Sequence, residues 1–439
     1  MDRLIQGSTI ATMVAANILV FARTQRLVNP VSIICTAFFV PLVFALSRLS
    51  GLQSSSWGED TYLLIWESLV AWLLLPTVAI LVIPIKKASH RALGGPEPLS
   101  ARSADVVLLS RAFALLVGSS YIIANYLQAG RLLPVLDPIV AFFLHTDFPQ
   151  GLRILVRMTP AVVGMSFMAF YLRRKRIDLL LMLFALMLPL TRLSRIDVFM
   201  SLVVVIVLSS YFPIITLNRK RLLGLLAALV LFVGGLSYLG NLRLTWYGRY
   251  DLTFARAIDF RGNAGPADIF AYLYLAFPLS FENLDRFVAQ HAGPGSLGLG
   301  SFDWIFSGLL KLNLIIPGYV DIVAWDFDPV STGANVPTAL AVFFLDFGVV
   351  GAWLPMLTYL VLWLWLFWRA NESPLFAVFY ALMSAAFALS SFQAIMTRAV
   401  LYYQLLAVLV VFFLNRQTRR TPLSSRHADT SQAGRVVES

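Results

Sequence analysis

Apolar runs close to the length needed to cross a bilayer, about 20 residues, recur along this chain and are separated by short charged clusters. They lie at 4–22, 30–46, 62–85, 106–127, 154–172, 177–190, 196–215, 222–239, 337–368, 375–391 and 399–413. With 59% of its 439 residues hydrophobic and 13% charged, the chain holds more apolar surface than a soluble core of that size can hide. The pattern predicts an all-α polytopic membrane protein of about eleven transmembrane helices. The first run lacks a basic leader and a small-residue cleavage site, so it is read as a retained helix.

The basic clusters set the orientation. Arg23 with Arg26, the segment 86–91, the segment 173–176, the segment 219–221 and the segment 416–420 all fall on one side when the runs are counted alternately outward and inward. That side is cytoplasmic by the positive-inside rule, which puts the N-terminus outside and the C-terminus inside. The formal net charge of +11 gathers largely in these clusters, so nucleic acid is excluded as a partner and the lipid bilayer takes its place. The chain divides into helices one to eight (1–239), a large extracytoplasmic loop with short amphipathic helices (240–336), helices nine to eleven (337–414) and a polar, disordered cytoplasmic tail (415–439). Cys35 stands alone and the four histidines are scattered, so neither an intramolecular disulfide nor a metal centre is expected, and no cofactor is implied.

The outward face carries arginines that the same rule would deplete. Arg153, Arg157, Arg192, Arg195, Arg243, Arg249, Arg256, Arg261, Arg286 and Arg398 all fall there. A guanidinium stays charged and presents a planar fork that matches phosphate oxygens in pairs, so such a face suits a lipid diphosphate. The competing reading is that these arginines pair with Asp197, Asp251, Asp259, Asp268 and Glu282, or reach outer-leaflet headgroups. The acidic group Asp321, Asp326 and Asp328 reads as a solvated turn before Pro329, and the glycine-rich stretch 291–300 as a flexible connection without the strand context of a nucleotide loop.

One stretch organises the late part of the chain. Asn335 and Thr338 precede an apolar run that reaches Asp346-Phe347-Gly348 and Gly351. A carboxylate near the mouth of a membrane helix is costly, so it either caps and tethers a helix end or has a chemical task. The run 337–368 is also longer than one span requires, which fits a re-entrant or interfacial turn followed by a spanning helix.

This motif after one large outward loop, together with the turn Arg192-Leu193-Ser194-Arg195 and the segment 272–283, resembles the oligosaccharide repeat-unit polymerases, the Wzy-type O-antigen and exopolysaccharide polymerases. Val336-Pro337 stand where that family usually carries an aromatic residue after the Asn. The resemblance implies a GT-C-like glycosyltransferase of the bacterial inner membrane, metal-independent and acting at the periplasmic face on undecaprenyl-diphosphate-linked glycans. It also leaves room for a chain-length regulator as a partner. The growing glycan would pass to a new lipid-linked unit with release of undecaprenyl diphosphate. Arg192, Arg195, Arg243, Arg249 and Arg398 would hold the diphosphate, and Asp346, Asp259, Glu282 and His291 are the candidates for a base. An O-antigen ligase shares a similar Arg turn and would pass the glycan to lipid A core instead. A lipid or glycan transporter would show interrupted helices at matching positions in two halves, and the sequence has none.

Overall fold

The computed structural model describes residues 2–84, 102–134, 150–192, 194–212, 234–235, 256, 258–261, 268–291, 295–315, 327–330 and 336–417. Among these residues the chain is helical, and an isolated bridge between Ser50 and Phe260 stands in place of any strand. Three helices are long and apolar enough to cross a membrane: α1 (Asp2–Thr24), α3 (Glu59–Val82), and Val107–Ala129 within α4 (Arg102–Ala129). A bent pair, α11 (Ala339–Gly351) and α12 (Trp353–Arg369), makes a fourth span if it is counted as one. Shorter apolar helices pack beside them: α2 (Pro30–Leu46), α6 (Thr159–Arg173), α7 (Arg176–Met187), α8 (Arg195–Tyr211), α13 (Pro374–Phe387) and α14 (Ala399–Gln417). The run expected at 154–172 divides into α5 (Gln150–Val156) and α6, the break falling just before Pro160 in the first turn of α6. The eighth run, 222–239, and the tail beyond 417 lie outside the described residues.

Large apolar side chains line the outside as well as the core. Val14 and Ile18 on α1 and Leu108, Leu115 and Leu127 on α4 are exposed. In water such faces would drive aggregation; in lipid they are the contact surface. The inside is closed by small residues where helices approach. Ala377, Ala381, Ser384, Ala385 and Ala386 on α13 are buried. A Cβ on Gly164 of α6 would come within 3.2 Å of Val378 and 3.3 Å of Val204. Close backbone approach of this kind is how helices gain packing where lipid supplies no hydrophobic drive.

Proline shapes two of the helices, α2 and α3. A ring nitrogen cannot donate, and the ring collides with the carbonyl four residues back. Here the chain widens to π-helix at Cys35–Phe39, before Pro41, and at Val70–Leu74, before Pro76. The two widened turns face each other, with Phe38 edge-on to Trp72 at 5.1 Å between ring centres.

The pair α11 and α12 is bent by 116°. The bend sits at Gly348, whose φ of 69° and ψ of −173° belong to a region that essentially glycine alone occupies. Gly351 completes it, because a Cβ there would lie 2.6 Å from the Cβ of Phe347. Residues 339–346 of α11 are buried all round. Gly348→Ala is therefore expected to cost about 1–3 kcal/mol and to lower the melting temperature of the purified protein in detergent. Gly7→Ala on α1, where a Cβ meets open space, should not lower it.

Two further helices are α9 (Asp268–Ala276) and α10 (Leu279–Gln290), both in the segment read as the outward loop. They sit at the end of the bundle where α2 ends and α3 begins: the Tyr274 hydroxyl donates to Gln53 at 2.5 Å, and Gly58 N–H donates to Asp285 at 2.8 Å.

Candidate functional site

The helices alternate in direction, so one end of the bundle collects the end of α4, the start of α6, the 3-10 turn Leu188–Arg192 that follows α7, the start of α8 and the start of α14. Three arginines meet there. Arg192 donates to the side-chain oxygen of Gln128 in the last turn of α4. Arg157, in the break between α5 and α6, lies near enough to both Arg192 and Arg398 for its charge to act on each. Asp197, in the first turn of α8, faces Arg157 and Arg192 and accepts a 2.6 Å hydrogen bond from Ser194; Asp303 faces Arg398.

The electrostatics follow from burial. Removal from water pushes the Arg192 guanidinium below the usual arginine range, Arg157 pushes the same way, and Tyr121 and Asp197 oppose it. Burial likewise pushes Arg398 down, with Asp303 opposing and Arg157 adding to the depression. Arginine is so strong a base that both stay charged. Among the described residues three guanidiniums and two carboxylates share this partly dry place, where a charge-assisted pair with phosphate oxygens is strongest.

The second half of the site is the glycine-rich segment after α10. Asp346, fully buried on α11, accepts hydrogen bonds from the Ser296 hydroxyl, from Gly300 N–H at 3.2 Å and from Ser301 N–H. The turn is glycine-rich for cause: Gly298 has a φ of 93°, and a Cβ on Gly300 would press against Val342 at 3.1 Å. Tyr359 of α12 secures the same turn by donating to the Ser301 carbonyl. The chain then passes through Asp303, stacks Trp304 on Tyr402 at 4.1 Å and is tied at Gly308 by the Tyr403 hydroxyl at 3.1 Å. Among the described residues Asp346 thus touches no arginine. It anchors the segment that places Asp303 beside Arg398.

The other expected residues are spread around this end. Glu282 on α10 is buried and accepts from Arg48 at 3.2 Å, Ser54 N–H at 2.9 Å and Trp57 Nε1 at 2.8 Å. Arg48 also pairs with Asp2 at 3.0 Å and lies over the Trp57 ring. Asp259 is exposed, in a left-handed conformation, in the turn that pairs with the segment 49–51. His291 has its ring stacked on Phe287 at 4.0 Å and its Nδ1 2.8 Å from the Phe287 carbonyl. Thr338 caps α11, its side chain accepting from Leu340 N–H at 3.3 Å. Arg243, Arg249 and Asn335, and the side chain of Arg195, lie outside the described residues.

The structure thus places Arg192 and Arg398 each within reach of Arg157, and adds residues that the sequence reading did not place in a site: Arg157 itself, from its wider arginine list, and Asp303 and Tyr121. Arg48 was also missed, although its place just past the second run puts it on the outward side by the same count that picked out the others. Among the described residues no group of three His, Cys, Asp or Glu side chains is arranged to hold a metal ion. No protein-family model, curated protein or solved structure matches this chain.

Proposed function

We propose that this chain is a membrane glycosyltransferase that polymerises undecaprenyl-diphosphate-linked oligosaccharide repeat units at the periplasmic face of a bacterial inner membrane. The observation that carries the proposal is the gathering of Arg157, Arg192 and Arg398 at one end of the helix bundle. In this reading the chain spans the membrane about eleven times in a GT-C-like arrangement, with the N-terminus periplasmic, the C-terminus cytoplasmic and the arginine end outward.

The chemistry asks for charge more than for a cofactor. A hydroxyl of the incoming unit attacks the sugar carbon bonded to the lipid diphosphate of the growing chain. The carbon–oxygen bond to the diphosphate breaks and its electron pair leaves on the phosphate oxygen. The three guanidiniums stabilise that developing charge, and they are in place before the reaction begins. The acceptor proton goes to a base. Asp346 and Glu282 have their oxygens engaged by several donors, so the proposal assigns Asp346 to positioning and seeks the base at Asp259 or His291.

An O-antigen ligase would use the same arginines on the same donor, and the Arg192 turn favours it equally. The two differ in acceptor. In cells lacking their native polymerase but supplied with this protein's own repeat unit, the parent chain is expected to produce a ladder of long glycans on a gel without any lipid A core acceptor. Single units only, at normal membrane expression, would reject polymerisation.

A further inference from the structure

At the end of the bundle opposite the arginine cluster, a second cation stands in unusual company. Arg26, between α1 and α2, is half-buried, and its Nη2 donates to the Asn371 side-chain oxygen at 2.7 Å. Its guanidinium carbon lies 4.2 Å from the centre of the Tyr211 ring at the end of α8. No carboxylate among the described residues pairs with it, and its Nη1 is buried without an acceptor. Asn371 is 5% exposed, and its amide Nδ2 is buried without an acceptor too. The hydroxyl of Tyr211 accepts from Arg26 and keeps its own proton to donate, and the ring of Tyr380, whose hydroxyl lies beside Ser384, packs 5.7 Å from it. The polar groups here are donors, or hydroxyls able to donate, around a cation that meets no carboxylate among the described residues. A half-buried guanidinium gives up part of its hydration, and donors left without acceptors add to that cost.

We infer that Arg26, Asn371 and Tyr211 form an anion site that takes a phosphate group. Arg26 Nη1, Asn371 Nδ2 and the Tyr211 hydroxyl would each donate to a phosphate oxygen, with Asn371 held by Arg26 Nη2. α13 begins just beyond Asn371, so its N-terminal dipole adds to the attraction. Arg23 and the segment 173–176 lie at the same end of the bundle and make its surroundings basic. The phosphate can come from a phospholipid headgroup or from free phosphate; the chemistry is shared. The site is independent of the glycan reaction proposed above and lies at the other end of α8.

The test uses the full chain, purified in detergent and stripped of lipid. It is offered phosphatidylglycerol, diacylglycerol as a lipid without phosphate, or inorganic phosphate, and retained ligand is measured by native mass spectrometry and equilibrium dialysis. Retention of phosphatidylglycerol but not diacylglycerol identifies a headgroup, and saturable retention of phosphate alone identifies a free anion; either supports the site. Arg26→Gln is expected to weaken retention by at least about tenfold, Tyr211→Phe by less, and Arg23→Gln not at all. Asn371→Asp supplies the missing anion from within, so it should abolish retention while leaving the melting temperature unchanged or higher, which separates lost binding from lost folding. Parent-like retention in Arg26→Gln and Asn371→Asp, or no retention by the parent chain, would overturn the inference.

Discussion

Arg398→Gln is expected to remove polymer synthesis, lowering turnover by about 100-fold or more, with the protein still present in the membrane at the parent level. The size follows from place. Arg398 is half-buried at the start of α14 and faces Asp303 and Arg157. A charge held in a partly dry site stabilises a departing diphosphate far more than the same charge in water. Lysine should not rescue it, because the ammonium lacks the planar fork that grips two phosphate oxygens. Arg192→Gln should match it, and the double variant should fall little below either single one, since groups acting on one leaving group are not additive. Arg173→Gln, at the basic end of α6, is the control and should keep a full ladder. Separate multiplicative losses in the double variant would show that the arginines do not serve one group.

Asp346→Ala is expected to fail for a different reason. The carboxylate is fully buried and receives the Ser296 hydroxyl and the N–H groups of Gly300 and Ser301. Taking it away strands those donors at about 1–3 kcal/mol each, a total of several kcal/mol in a fold with little to spare. The melting temperature should fall clearly, and limited proteolysis should open new cuts in the segment 295–311. Asp346→Asn, which keeps one acceptor oxygen but turns an amide toward donors, should show a smaller fall in both. Polymer length should drop along with stability, because the freed segment no longer holds Asp303 against Arg398. A base would behave otherwise. Loss of turnover in Asp346→Asn with unchanged melting and unchanged proteolysis would return Asp346 to the chemistry.

The contrast shows which features were legible in the residues. Apolar runs announce themselves because lipid demands long stretches without charge, and the runs reappear as helices at α1, α3, α4, α8 and α13 with small shifts at their ends. The bend in the run 337–368 was readable from excess length, and Gly348 supplies its cause. Asp346 was conspicuous as a carboxylate at the mouth of a membrane helix, but its partners lie in the glycine-rich stretch 296–301, some 50 residues earlier; read alone, that stretch was a flexible connection. Local pattern carries no sign of such a pairing. Arg157 stood out only as one of ten outward arginines and Asp303 not at all, since each gains its place from residues far away in the chain. Glu282 was singled out as an outward carboxylate, and its partner Arg48, 234 residues away, had drawn no notice.

The most direct test of the central claim is reconstitution of the purified chain in vesicles with its lipid-diphosphate-linked repeat unit as sole substrate, with free undecaprenyl diphosphate and glycan length read together over time. Each added unit should release one diphosphate lipid, Arg398→Gln should stop both signals, and Arg173→Gln should leave both intact. Lengthening without diphosphate release, or equal rates in parent and Arg398→Gln, would contradict that claim.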